Sequence, residues 1–168
     1  MSIRVALKKD PVTKSLHGAY LGASITVRRL RSPEWHTARA AAQTVLQNDA
    51  ELLPLLVEHD LLPEGGVRGW KRMRDDDPGA YADYLIGISA WLTAVECALV
   101  GISNWTGFTL DDGAPAPISR EVLQSLFLDE KLSDQVMAVL TEAAVLLIVE
   151  GEPFGASPNG SSEQDPTA

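Results

Sequence analysis

This chain of 168 residues has a single cysteine, Cys97, so it cannot form an internal disulfide. That usage fits a reducing compartment. Positive charge is also scarce: 14 Lys and Arg stand against 23 Asp and Glu, a formal net charge of -9. Binding a phosphate backbone needs a basic surface, so nucleic acid is not expected as the main partner, and neither is an anionic membrane. The acidic balance serves solubility first, and a basic partner is the sharper reading. His17, His36 and His59 have no Cys or His at ligand spacing, so no zinc site is expected. Gly65-Gly66 lacks the following Lys-Ser/Thr of a phosphate-cradling loop, and no Gly-x-Ser-x-Gly elbow occurs. Long apolar runs are missing too. The longest, Ala143 to Val149, is too short for a bilayer, and Met1 to Asp10 has no apolar core of a signal peptide. Together these absences lead to the expectation of a cytoplasmic, non-enzymatic protein without a cofactor.

What is present is enough apolar sequence for one ordinary core: 45% hydrophobic against 22% charged residues. Ile3, Val5 and Leu7 alternate with Arg4, Ala6 and Lys8, the period of a strand. Asp10-Pro11 and Thr13-Lys14-Ser15 read as a turn or loop. Tyr20 to Leu30 brings Ile25, Thr26 and Val27 into a second strand-like run. Residues 1–30 are thus expected to form a short β-hairpin packed on a helical part, residues 31–150.

Ser32-Pro33-Glu34 has the chemistry of a helix start, with Ser32 as cap, and leads through Ala38 to Ala42 towards Asp49. Pro54 either begins a short further helix or breaks the first, amid Leu52, Leu53, Leu55, Leu56 and Val57. Pro63-Glu64-Gly65-Gly66 stops the pattern. Asp75-Asp76-Asp77 lacks the spacing of a calcium loop, since consecutive side chains point apart, and Asp77-Pro78 suits a helix cap and first turn. Tyr81, Tyr84, Leu85, Ile88, Trp91, Leu92, Val95 and Leu99 then recur every three or four residues, one face of a long helix ended by Gly101. Cys97 beside that stripe reads as packing.

Gly101 to Ser119 reads as a loop, with the Asp112-Gly113 turn and Pro115-Ala116-Pro117 holding the chain extended. Ser119 caps a helix with Val122, Leu123, Leu126 and Phe127 on one side, and Ser133 is expected to cap the last helix. From Gly151 the composition turns to Gly, Ser, Pro, Asn and Gln, that of a disordered tail over 151–168. The fold class expected is mainly α, a bundle of about four to five helices with a minor β component.

One order of elements carries a family likeness. An aromatic-apolar helix ends in Val100-Gly101-Ile102-Ser103-Asn104-Trp105. The turn Leu110-Asp111-Asp112-Gly113 follows, then Ala114-Pro115-Ala116-Pro117. Ile118-Ser119-Arg120-Glu121-Val122-Leu123 opens a helix, and a final helix leads to Gly151-Glu152-Pro153-Phe154. In this order, and in the β segment entering an Ala-rich helix through Ser32-Pro33-Glu34, the chain resembles the tail assembly chaperones of long-tailed phages and prophages. The resemblance implies a factor of the host cytoplasm that binds the tape measure protein and recruits tail tube subunits during tail morphogenesis, needing neither nucleotide nor metal. The alternative is a minor structural component of the tail or head–tail connector. Large aromatics in loops are the natural partner anchors, so Trp70, Trp105 and Phe108 are the candidates. Ile25 and Val27 join them on a strand whose edge can accept another chain.

Overall fold

The computed structural model describes the backbone of residues 11–149 and the side chains of residues 11–143. The expected Ile3–Leu7 strand and the tail from Gly151 lie outside the described residues. The chain is mainly helical with a small three-stranded antiparallel sheet. In order it runs β1 (Val12–Ser15), β2 (Ser24–Val27), α1 (Ser32–Leu46), α2 (Asp49–Glu58), α3 (Gly66–Asp76), α4 (Pro78–Gly101), β3 (Ile102–Thr106), α5 (Arg120–Leu126) and α6 (Glu130–Val149).

Two strands form where turn or loop was expected. Thr13-Lys14-Ser15 is β1, paired with β2 so that Thr13 faces Thr26 and Lys14 faces Ile25. The turn lies later, at Gly18–Tyr20, where Gly18 takes a φ of +66°. Ile102 to Thr106 leaves α4 directly as β3, on the other side of β2. Its partner is remote in sequence, and a five-residue strand with only Ile, Trp and Thr as strand formers gives little local signal. A bulge between Thr26 and Val27 absorbs the extra residue on β3, and the Ser103 hydroxyl donates to the Thr26 carbonyl at 3.1 Å.

The pleat divides the sheet cleanly. Val12, Ile25, Val27, Ile102 and Trp105 share the inner face, while Thr13, Ser15, Ser24, Thr26, Asn104 and Thr106 form the outer one. On that outer face Thr13 and Thr26 hydroxyls lie 2.9 Å apart, as do those of Ser24 and Thr106. α6 runs beneath the inner face and is tied to the first hairpin along its length. The Tyr20 hydroxyl donates to Asp129 at 2.5 Å, the His17 backbone N–H donates to Gln135 at 2.8 Å, and the Lys14 ammonium meets Glu142 at 3.1 Å.

α4 is the central helix, touching α1, α3, α5, α6 and β3. Asp77 caps it, accepting the Ala80 N–H at 3.0 Å, with Pro78 in the first turn. Ala94, Cys97 and Ala98 are buried beside Ile88, Trp91, Leu92 and Val95, so its second half is enclosed on more sides than one stripe. By length and composition α4 is apolar enough to cross a bilayer, with a mean hydropathy of 1.6 over its best window. A helix flanked by four others has the same composition for a different reason. Gly101 is not a left-handed cap. A Cβ there would run into the Leu140 side chain and reach Leu30 at 3.5 Å, so the glycine permits close packing.

Local helix starts differ in detail. Arg31, not Ser32, occupies the cap of α1, and the Glu34 carboxylate accepts its N–H at 2.7 Å while meeting Arg28 at 3.0 Å. Those bonds lower the Glu34 carboxyl to a pKa of about 2, the Arg31 backbone N–H being the first cause. Asn48 caps α2, which carries Pro54 within it. The last helix begins at Glu130 rather than at Ser133. Asp129 accepts the Lys131 N–H at 2.9 Å and does the capping four residues earlier. α3 is the helix beyond the expected four to five. Its one aromatic, Trp70, anchors an otherwise strongly charged segment.

Candidate functional site

The loop after β3 is built from its own turn chemistry. Leu110 to Gly113 closes on a Gly113 N–H to Leu110 carbonyl bond of 2.9 Å, with Gly113 at a φ of +80°. Asp112 accepts the Ala114 N–H at 2.9 Å, which tightens the turn. The Leu110 N–H bonds the Ala114 carbonyl at 2.8 Å and the Ala116 N–H bonds the Phe108 carbonyl at 3.0 Å. A small second hairpin, residues 108–116, therefore stands off the end of the sheet.

Trp105 pins it. Its indole N–H donates to the Ala116 carbonyl at 2.7 Å, and its ring lies 4.8 Å from that of Phe108. Tyr20 completes the cluster with its ring centroid 6.4 Å from Phe108. The bond to Asp129 pushes the Tyr20 hydroxyl up to about 12 and holds the Asp129 carboxyl below its ordinary value. Ile25 lies directly across from Trp105 in the sheet.

Between this hairpin and α5 runs an open groove of about 630 Å³. Phe108, Leu110, Val122 and Leu126 provide its apolar surface, and Asp111, Asp112 and Glu121 are its carboxylates. Leu110 is 42% exposed. α5 carries two adjacent i, i+4 pairs. Leu123 and Phe127 are buried in the core, whereas Val122 and Leu126 are half-buried and line the groove. Ser119 caps α5 by accepting the Val122 N–H at 3.4 Å. Glu121 in the first turn is held below its usual range by the helix-start N–H and the Ser119 hydroxyl, so the rim is anionic at neutral pH.

Of the five anchors expected from sequence, Phe108 alone lines the groove; Trp105 stands behind it, half-buried. Ile25 and Val27 are wholly buried because they occupy the inner face of the central strand, so neither is open to a partner. Trp70 is not in a loop and is also fully buried. It sits on α3 with its ring against Tyr81 and Tyr84 of α4, at 5.1 and 5.8 Å. Leu110, Val122 and Leu126 are the groove residues the sequence reading missed. Val122 and Leu126 share the i, i+4 spacing of the adjacent buried pair Leu123 and Phe127, so only the placement of α5 separates the two. Cys97 is buried, and burial pushes its thiol up to about 11. Among the described residues, no three His, Cys, Asp or Glu side chains converge as a metal site would require. Compared with known proteins, the chain matches no family model, no curated protein and no solved structure.

Proposed function

We propose that this protein is a tail assembly chaperone of a long-tailed phage or prophage, holding an apolar helical segment of the tape measure protein and recruiting tail tube subunits in the host cytoplasm. The observation that carries the proposal is the groove beside Phe108. An apolar floor edged by Asp111, Asp112 and Glu121 suits an amphipathic helix whose apolar stripe seats on Phe108, Val122 and Leu126 and whose flanks are basic. The order of turn, proline-rich strand and capped helix that underlies the family likeness is also what builds this groove. Holding a helix needs no reacting group, so the proposed role is binding without catalysis.

Co-expression with the tape measure protein tests this reading. The partner is expected to become soluble and to co-purify at a fixed ratio, and Phe108→Ser is expected to abolish co-purification while the fold persists. A partner that stays insoluble, with this protein instead found in finished particles, would favour the minor structural component.

A further inference from the structure

A second apolar depression with exposed floor residues lies apart from the groove beside Phe108. It lies between α4 and the start of α6, has a volume of about 710 Å³ and includes Ile86, Ala90, Trp91, Leu128 and Met137 in its lining. Ile86 is 67% exposed and Leu128 44%, although each is a large aliphatic side chain within two residues of a buried position, Ile88 and Phe127 respectively. Gly87, in the floor beside Ile86, is stranger. It lies inside a 24-residue helix, where glycine is less favourable than alanine, yet a Cβ there would meet nothing within 4 Å. No contact among the described residues asks for glycine at this position. Its missing side chain leaves the α4 backbone uncovered at this point.

The charges around the groove have one sign. Glu130 and Asp134 line it from α6, on the same helix face as Ser133 and Met137. Asp83 stands exposed on α4 one turn before Gly87. Among the described residues no lysine or arginine lines the groove, and Lys131 lies on a different face of α6.

We propose that the α4–α6 groove is a second docking surface, for a basic amphipathic helix of another protein that crosses α4 at Gly87. Its apolar stripe covers Ile86, Ala90 and Leu128, and its lysines or arginines meet Glu130, Asp134 and Asp83. This site is separate from the groove beside Phe108 and stands whatever protein occupies that one.

The test is a titration of the isotope-labelled full chain, followed by amide chemical shifts. The probe is a synthetic Leu/Ala/Lys amphipathic helix of about five turns, with a Glu-for-Lys counterpart as control. Saturable shifts are expected at residues 83–94 and 127–137 both in the parent and in Phe108→Ser, where the groove beside Phe108 no longer competes for the same probe, with the Glu peptide binding far more weakly. Gly87→Leu is expected to weaken the Lys peptide by about tenfold or more, and Phe108→Ser to leave it within about twofold. Ile86→Glu, at an exposed position, gives the same readout should Gly87→Leu fail to fold. No saturable shifts at residues 83–94 and 127–137 in Phe108→Ser, equal affinity for both peptides there, or undiminished binding by the groove variants would each overturn the proposal. So would concentration-dependent dimerisation lost in Gly87→Leu, because the occupant would then be a second copy of this chain.

Discussion

Gly107 links the sheet to the hairpin that carries Phe108, and replacing it with alanine should damage the fold in two separable ways. Its φ of +85° is left-handed, which disfavours any residue with a Cβ. That Cβ would also stand 2.7 Å from the Ala23 Cα and 2.9 Å from the Ala23 Cβ. Ala23 cannot retreat easily. It is buried, its N–H bonds Tyr20 at 3.0 Å and its carbonyl accepts the Leu16 N–H at 2.9 Å, so the β1–β2 hairpin must move with it. The dihedral term costs about 1–2 kcal/mol and the overpacking about 1–3 kcal/mol, or roughly 2–5 kcal/mol together. Gly113→Ala supplies the reference. Its φ is +80° but nothing lies within 4 Å of the added Cβ, so it should incur only the dihedral term, about 1–2 kcal/mol. Urea unfolding followed by tryptophan fluorescence and far-ultraviolet circular dichroism reads both. With a slope of about 2 kcal/mol per molar, the Gly107→Ala midpoint should fall by roughly 1–2.5 M. Equal losses for the two variants would refute the close approach of Gly107 to Ala23.

Three further outcomes follow from the same structure. Gly87→Ala should stabilise the chain by about 1 kcal/mol, since the added methyl meets only open space, and a thermal melt checks the sign. Glu34 has a folded pKa lowered to about 2 from 4.5, so its contribution is fully present above the unfolded value and lost as pH falls through the folded one. Acid titration of Glu34→Gln against the parent should therefore show the difference in stability shrinking from about pH 4.5 down towards pH 2. The Cys97 thiol is buried and raised to about 11, so a thiol reagent at neutral pH should label it slowly in the native state and at once in denaturant. Rapid native labelling would contradict the packing of α4.

The helices were legible wherever a local device set them. The three-and-four spacing through Trp91, the Asp77 cap with Pro78 and the Ser119 cap all need only neighbouring residues, and each stands as read. Asp129 shows the limit of that method. Its capping of α6 accompanies a hydrogen bond from Tyr20, 109 residues away, while Ser133 offered the same cap chemistry four residues later. β1 and β3 were hidden for the same reason, because each is short and becomes a strand by pairing with β2. Trp70 illustrates the opposite error. A tryptophan among Lys71, Arg72 and Arg74 looks exposed in sequence, but in the fold it is the buried side of a charged helix, packed on Tyr81 and Tyr84 of α4. The groove beside Phe108 was half legible. Phe108 and the Asp-Gly turn stood out, whereas Val122 and Leu126 looked identical to their buried neighbours Leu123 and Phe127 until α5 was placed.

The most direct test of the proposed role is to titrate purified protein into the purified tape measure protein held in mild denaturant, and to measure how much partner remains in solution after dilution. The account expects partner recovery to rise to a fixed stoichiometry with the parent chain and with Gly87→Ala, and to remain at the buffer level with Phe108→Ser. Recovery by Phe108→Ser equal to that of the parent, or no recovery by either, would contradict it.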